Sequence, residues 1–377
     1  MKNSFLRKPV VQSIIASLLC ILLGLLIGYI VLLCINPAGA WDAICEVVKN
    51  FMHYSKPNLR LKNFGNTLVK TAPLLMCALS VLFSYKVGLF NIGAAGQYVV
   101  GTCAALYGAL ALQLGWFACI LLALLCGAVY GALVGILKAY CNVNEVISGI
   151  MLNWIGLYLT NMILTTVKET ASPYTFHVKD AAPQALLPTL GLGKPFNNNA
   201  YVTIAIPLSI IIAIVIAVIL NRTKFGYELK ATGNNKDAAK YCGMAEKRNI
   251  ILTLVISGML AALGGALLYL TDYEQWQCTA SSVPAMGFNG IAATFLGGLD
   301  PIGTIFSSYF IQHITSGGAY VDKSLYCSQI SDLISSIIIY LCGFVLFIKF
   351  AINKMLDKSE EKKALKAAEA NAKGGEN

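Results

Sequence analysis

Long apolar runs separated by short polar segments fill the chain from residue 13 to residue 350. A helix needs about 20 apolar residues to cross a bilayer, and within lipid the backbone polar groups of such a run are best bonded in a helix. We therefore predict an all-α, polytopic membrane protein. Its ten predicted spans are Ser13–Ile35, Asn66–Ser84, Ala94–Gln113, Trp116–Lys138, Val146–Leu164, Tyr201–Leu220, Ile250–Leu270, Ala285–Gly298, Ile302–Ser316 and Ile330–Phe350. The eighth and ninth are short and glycine-rich, which predicts broken or tilted helices.

Composition supports this class and indicates an orientation. The chain is 57% hydrophobic and 12% charged, and its net charge is +10, whereas soluble domains contain about 25% charged residues. Most of the Lys and Arg residues fall on one predicted side, which also holds both termini and the polar loop 222–249. Loops that carry many Lys and Arg residues remain on the cytoplasmic side of a membrane, so we predict that both termini and the loop 222–249 are cytoplasmic. Residues 1–350 form the predicted membrane domain, and residues 351–377 form a charged cytoplasmic tail. The basic charge indicates contact with membrane lipid rather than with nucleic acid.

Catalytic and metal-binding patterns are missing from the sequence. The twelve Cys residues form no C-x-x-C pair, and the three His residues are scattered. Gly298–Thr304 has the glycines of a phosphate loop but no lysine before Thr304, the residue that reaches the phosphates. We expect no enzyme activity, no metal and no cofactor bound by this chain.

The loop 222–249 contains the signals of a short capped helix. Asn234 or Asn235 can accept a bond from a free backbone N–H at the helix start, Asp237 suits the first turn, and Gly243 can end the helix. The small pair Ala238–Ala239 would let another protein approach closely. We predict a helix on which another protein docks. The alternative is a solvated loop whose basic residues serve only to keep it on the cytoplasmic side.

Polar side chains at membrane depth are few, and they include amides near aromatic residues. Such groups are costly in lipid and usually face a pore or a partner helix. They are Asn91, Gln97, Asn153, Asn161 and Asn289, with Phe90, Trp154 and Phe288 nearby. As a set they suit a path for a neutral polar solute, and the alternative for each is a hydrogen bond between helices. The middle thirds of the spans contain no Asp or Glu, which favours energy supplied by a docked partner.

Two similar segments open spans of opposite predicted direction. Leu89–Ala95 reads LFNIGAA and Gly287–Ala293 reads GFNGIAA. This is the trace that an inverted repeat would leave, and a solute path usually lies between such repeats. Chance similarity is the alternative, because Gly, Ala and Phe are common in membrane helices. In the fourth span, Gly127, Gly131 and Gly135 predict close helix packing.

Four segments carry a resemblance to a known family. Val87–Val100 (VGLFNIGAAGQYVV), Asn144–Asn153 (NEVISGIMLN), Ala231–Ile256 and Gly287–Gly303 resemble stretches of ABC-importer permease subunits. These permeases form the ribose/branched-chain amino acid superfamily, and the similarity is greatest to its nucleoside branch. The chain departs from the family pattern at three positions, with Ala95, Lys236 and Asn289 where Glu, Pro and Asp are common.

The resemblance implies a type II importer fold of about ten helices. It also implies partners: a second permease subunit, ABC ATPase subunits that use the ATP, and an extracellular lipoprotein or periplasmic protein that delivers the solute. By position, the resemblance implies ATPase coupling by Gly233, Asn235, Ala238, Ala239 and Gly243, and we add Asn234, Asp237 and Tyr241 of the same loop as coupling candidates. It implies a path along Phe90, Asn91, Gln97, Asn153 and Phe288, and we add the neighbouring Trp154 and Asn289 as path candidates.

The predicted function is therefore nucleoside uptake by alternating access, driven by a separate ATPase. Simple sugars or branched-chain amino acids are alternative cargoes within the same family. An ion-coupled secondary transporter is an alternative from a different class.

Overall fold

A computed structural model describes residues 9–327 together with residues 333–334, 336–337, 340–341, 343–345 and 347–358. Its principal helices are α1 (Pro9–Ile35), α2 (Ala40–Lys49), α3 (Pro57–Tyr85), α4 (Ala94–Leu110), α5 (Trp116–Cys141), α6 (Glu145–Leu164), α7 (Ala205–Arg222), α8 (Lys224–Asn234), α9 (Lys236–Tyr241), α10 (Glu246–Tyr269), α11 (Met286–Leu296) and α12 (Pro301–Gly317). Residues 347–358 are helical as well. The predicted all-α class is confirmed.

Each predicted span up to Ser316 coincides with one of these helices. Six helices in the described part are long and apolar enough to cross a membrane. The helices α4, α11 and α12 are shorter and complete the bundle by packing inside it. The predicted tenth span lies partly outside the described residues, and most of the predicted tail lies there too.

Polar residues extend some predicted helices and form others that were not predicted. Helix α3 begins at Pro57 rather than Asn66. Proline suits a first helical turn, where its missing N–H is not needed, and the exposed polar residues that follow extend the helix beyond the apolar run. Helix α8 was not predicted; Thr223 caps it by accepting a bond from Gly226 N at 3.0 Å.

The centre of the bundle is an antiparallel crossing of α3 and α10. The hydroxyls of Ser84 and Ser257 are 2.6 Å apart at one end of this crossing. Helix α5 packs on α10 through the predicted glycine ladder. A Cβ atom on Gly131 would lie 2.1 Å from the carbonyl oxygen of Leu254. Without a hydrophobic drive in lipid, such close backbone approach is what holds helices together.

The packing repeats itself with the roles of α3 and α10 exchanged. Helix α3 contacts α11 and α12, and helix α10 contacts α4 and α5. The two similar sequence segments meet, because Gly287 at the start of α11 lies against Ala95 at the start of α4. This arrangement supports the inverted repeat over chance similarity.

The bundle has two ends. The basic end holds the end of α5 and the start of α6, which an ion pair of 2.7 Å between Lys138 Nζ and Glu145 Oε2 joins. It also holds α8 and α9. The distal end holds the start of α3 and the connection from α10 to α11 (residues 270–285).

Candidate solute path and coupling surface

The starts of α4 and α11 cross at the middle of the bundle. A Cβ atom on Gly287 would lie 2.4 Å from the Cα atom of Ala95, so only glycine allows this approach. The crossing brings the predicted path residues at the starts of α4 and α11 to one region. In transporters built from inverted repeats, the solute site lies at such a junction of short helices.

Asn91 and Gln97 form a buried amide pair beside this crossing. Asn91 Nδ2 donates to Ser80 Oγ at 3.0 Å and to Gln97 Oε1 at 2.8 Å. Gln97 is 1% exposed, and its Nε2 has no hydrogen-bond partner among the described residues. An unpaired buried donor costs about 1–3 kcal/mol. An unpaired buried group of this kind calls for a water or a ligand group as its partner.

Asn153 and Asn161 instead bond to the protein through both the oxygen and the nitrogen of the side-chain amide. Asn153 Oδ1 accepts from Gly96 N at 2.7 Å, and its Nδ2 donates to Ile92 O at 3.1 Å. Asn161 Nδ2 donates to Ala280 O at 2.8 Å. These bonds hold the start of α4 against α6 and the 270–285 connection against α6. For these two amides the geometry favours the structural alternative over solute contact.

The aromatic residues predicted for the path fall in different places. Phe90 is half-buried and packs with Val81, Ala94, Ala261 and Ile291. Phe288 is exposed, next to the Gly287 contact, and the adjacent Asn289 is half-buried with no side-chain hydrogen bond in the described part of the protein. Trp154 is also exposed, and it stacks on Tyr158 on the outward face of α6. Trp154 is therefore not brought to the amide pair.

The coupling surface is formed by the end of α8, the helix α9 and the turn after it (residues 233–243). Asn235 is the cap of α9, because its Oδ1 accepts from Asp237 N at 3.1 Å and from Ala238 N at 2.9 Å. Asn234 ends α8 and does not cap α9. Gly243 follows with φ +79°, the left-handed conformation that glycine adopts readily.

The small pair on α9 does not form one outward face. Ala238 is exposed, but Ala239 is 3% exposed and packs inward. Adjacent residues on a helix point about 100° apart, so one of the two must turn towards the bundle when the other faces out. Tyr241, the last residue of α9, is 92% exposed. An approaching partner would meet Ala238 and Tyr241 rather than an Ala–Ala face.

A backbone contact joins the coupling surface to the solute path. A Cβ atom on Gly233 would lie 2.4 Å from the carbonyl carbon and oxygen of Val87. Gly88, with φ +74°, lies against the carbonyl oxygen of Gly233. Residues 87–93 lead directly from this contact to Asn91 and the start of α4. Movement of α9 can therefore reach the amide pair through a few residues of chain.

One charged group inside the bundle was missed by the sequence-based prediction. Lys70 Nζ on α3 lies 2.7 Å from Glu274 Oε1 on the 270–285 connection. The same ammonium lies 5.3 Å from the ring centroid of Tyr273. Lys70 lies inside a predicted span, whereas Lys138 and Lys349 fall at the ends of theirs, and that was the available signal. Its partner could not be found because residues 270–285 were predicted to lie outside the membrane.

Taken with its membrane-spanning helices, this central crossing of two related halves defines a polytopic membrane permease. The model of the family described as branched-chain amino acid transport system / permease component matches residues 63–343. The chain belongs to this family, which confirms the predicted superfamily.

Curated relatives extend the similarity over nearly the whole chain. The nucleoside ABC transporter permease protein NupB of Lactococcus lactis is 31% identical over 97% of this chain and 98% of its own. The guanosine ABC transporter permease protein NupP of Bacillus subtilis is 30% identical over 92% and 98%. The glucose ABC transporter permease protein TsgB13 of Haloferax volcanii is 29% identical over 69% and 70%. No solved structure matches the chain.

Proposed function

We propose that this chain is the permease subunit of an ABC importer that takes up nucleosides across a bacterial plasma membrane. It works beside a second permease subunit, which is either a copy of this chain or a paralogue. ATPase subunits dock on the coupling surface and hydrolyse the ATP, and this chain itself holds no cofactor. An extracellular binding protein delivers the solute at the distal end, and both termini lie in the cytoplasm.

The similarity to permeases named for nucleosides and guanosine, over almost their full length, carries this proposal. The chemistry of the centre agrees with it. Asn91 and Gln97 offer amide groups and no charge, and the Nε2 of Gln97 is an unpaired donor at the crossing of the two repeats. Ribose hydroxyls and base edges are neutral groups that can accept such a hydrogen bond.

The proposed transport mechanism is based on the backbone contact between Gly233 and Val87. When ATP draws the ATPase subunits together, α9 moves, and the tight backbone contact passes that movement to residues 87–93. The start of α4 and the amide pair then change their access from the distal end to the basic end. A conformational equilibrium shifts only by differential affinity for its states, and here ATP and the loaded binding protein supply the difference.

A simple sugar is the second candidate cargo, because the chain is also similar to a glucose permease. Amide groups bind sugar hydroxyls as well as they bind a base. The two cargoes differ because a nucleoside has a base, which stacks on an aromatic side chain of the protein, whereas a simple sugar has none. Phe288 lies exposed beside the crossing and can supply that surface.

Reconstitution with the ATPase, the second permease and the binding protein tests the proposal. We expect ATP-dependent accumulation of guanosine or another nucleoside, and no accumulation when the ATPase cannot hydrolyse ATP. Glucose, ribose and leucine serve as competitors in the same vesicles. Accumulation driven by a proton gradient without ATP would contradict the proposal, and preferential uptake of glucose would support the second candidate.

The coupling surface is tested separately with Ala238→Phe. This exposed position has room for a larger side chain in the free chain, so membrane insertion should be normal. We expect the ATPase to be lost on co-purification, because the phenyl group would hold the two surfaces apart. Val129→Phe on the exposed face of α5 is a matched control. Normal co-purification and uptake by Ala238→Phe would exclude docking at α9.

A further inference from the structure

The ion pair of Lys70 and Glu274 lies in the distal half of the bundle, where α3 changes from exposed to buried residues. Lys70 is thirteen residues beyond Pro57, the first residue of α3, which corresponds to about 20 Å along the helix. Every residue of α3 from Thr71 to Ser84 is buried. The side chains of Lys70 and Glu274 are 31% and 38% exposed. Lys70 is therefore the deepest point on α3 that remains open before the buried stretch begins.

The opening at Lys70 faces the interior of the bundle rather than lipid. Helix α3 is enclosed by α7, α10, α11 and α12. A charged pair exposed to lipid tails would be costly, whereas charges in membrane proteins commonly line a water-filled cavity. The partial exposure of both side chains therefore points to water reaching the pair from the distal end. Ser80, which bonds Asn91 of the amide pair, is about 15 Å further along α3.

The pair also joins the two repeats. Lys70 belongs to α3 of the first, and Glu274 to the connection between α10 and α11 of the second. The ring of Tyr273 lies beside the ammonium, and Tyr201 packs edge-on against Tyr273 with centroids 5.2 Å apart. Any opening between the repeats on the distal side must separate or rearrange this cluster. A half-exposed ion pair contributes little to stability, so it can exchange partners without unfolding the bundle.

We propose that Lys70, Glu274 and Tyr273 form a distal recognition gate through which the solute passes before it reaches the amide pair. The proposal rests on the nucleoside function given above. The Glu274 carboxylate accepts hydrogen bonds from the two neighbouring ribose hydroxyls, and the Lys70 ammonium donates to an oxygen of the solute. These bonds replace the ion pair, and the base stacks on the Tyr273 ring. A solute without a vicinal diol also has to separate the ion pair, but it offers no pair of hydroxyls to bond Glu274 in place of Lys70. Such a solute therefore passes the gate more slowly.

Uptake by the complete transporter, with its ATPase and binding protein, tests this gate. Guanosine and its 2′,3′-dideoxy analogue are compared in the wild type and in Glu274→Gln, which keeps the shape of the side chain but removes its charge. We expect Glu274→Gln to lower guanosine uptake at subsaturating concentration about tenfold and to change uptake of the dideoxy analogue much less. The preference for the diol should therefore fall. Lys49→Gln, an exposed lysine of a second ion pair at the same end, is the control and should change neither rate.

The charge-swapped double variant Lys70→Glu with Glu274→Lys separates recognition from structural support. It can re-form the ion pair, so we expect membrane insertion and thermal stability to match those of the wild type, while the exchanged positions leave guanosine uptake impaired. Full recovery of uptake, or an unchanged diol preference in Glu274→Gln, would overturn the gate. If Glu274→Gln does not insert into the membrane, Glu274→Asp replaces it in the comparison of guanosine with the dideoxy analogue. Aspartate keeps the charge, but its shorter side chain places the carboxylate too far from the ribose hydroxyls, so the preference for guanosine should again fall. Failure of the wild type to take up any nucleoside would instead refute the proposed function.

Discussion

Replacing Gly233 with alanine tests the link between the coupling surface and the solute path. The added methyl group would lie 2.4 Å from the carbonyl carbon and oxygen of Val87, far inside normal contact. Because its neighbours are backbone atoms, no side chain can rotate away, and residues 87–93 must shift. Overpacking of this kind costs about 1–3 kcal/mol. That cost is small enough for the folded bundle to persist.

The cost matters because it falls on a contact that must move during transport. A penalty of about 1–3 kcal/mol imposed on one state changes a conformational equilibrium by about 5–150-fold. We expect Gly233→Ala to retain the ATPase but to move at least about fivefold less solute for each ATP hydrolysed. The measurement is solute uptake and phosphate release in the same proteoliposomes. The ratio of solute taken up to phosphate released falls when coupling is lost, whereas a smaller amount of folded protein lowers both quantities together.

A matched control comes from the distal end. A Cβ atom on Gly115 would have its nearest neighbour 3.9 Å away, at the carbonyl oxygen of Gln184. Gly115→Ala should therefore leave uptake, ATP hydrolysis and their ratio unchanged. If Gly233→Ala showed the same ratio as Gly115→Ala, the backbone contact would not transmit movement, and the route through residues 87–93 would have to be abandoned.

Three further predictions concern single side chains. Asn235→Ala removes the cap of α9, costs about 1 kcal/mol of local stability and should weaken ATPase co-purification, which Asn235→Ser should preserve. Gln97→Met removes the unpaired Nε2 donor together with the Oε1 acceptor of Asn91. It should raise the half-saturation concentration for uptake about fivefold, the worth of one neutral hydrogen bond, and lower stability by no more than about 1 kcal/mol, because removal of the unpaired donor offsets the lost bond. Gly131→Ala places a methyl group 2.1 Å from Leu254 O and should lower thermal stability by about 1–3 kcal/mol without a specific effect on ATPase affinity.

Each of these has a result that contradicts it. Equal recovery of the ATPase with Asn235→Ala and Asn235→Ser would show that the cap of α9 does not contribute to docking. A large loss of thermal stability in Gln97→Met, with an unchanged half-saturation concentration, would make Gln97 a structural residue. An unchanged melting temperature for Gly131→Ala would show that α5 and α10 can separate at no cost.

Local physical chemistry made much of this protein predictable from sequence. Apolar runs have no other way to bond their backbone groups in lipid than to form helices, so the spans up to Ser316 coincide with observed helices. The cap of α9 was predictable within one residue, because Asn235 bonds backbone groups only two and three positions away. The glycine ladder of α5 was predictable as a packing surface from its spacing of four residues.

Only the tertiary structure decided which segments meet. Sequence similarity left the inverted repeat open, and the contact of Gly287 with Ala95 supports it. The inward turn of Ala239 depends on how α9 lies against the bundle. The partner of Lys70 was beyond prediction because Glu274 is 204 positions away in the chain, on a connection whose composition resembles an ordinary external loop. Periodicity along a chain records local burial and bonding, whereas contacts between distant segments depend on how the helices pack in three dimensions.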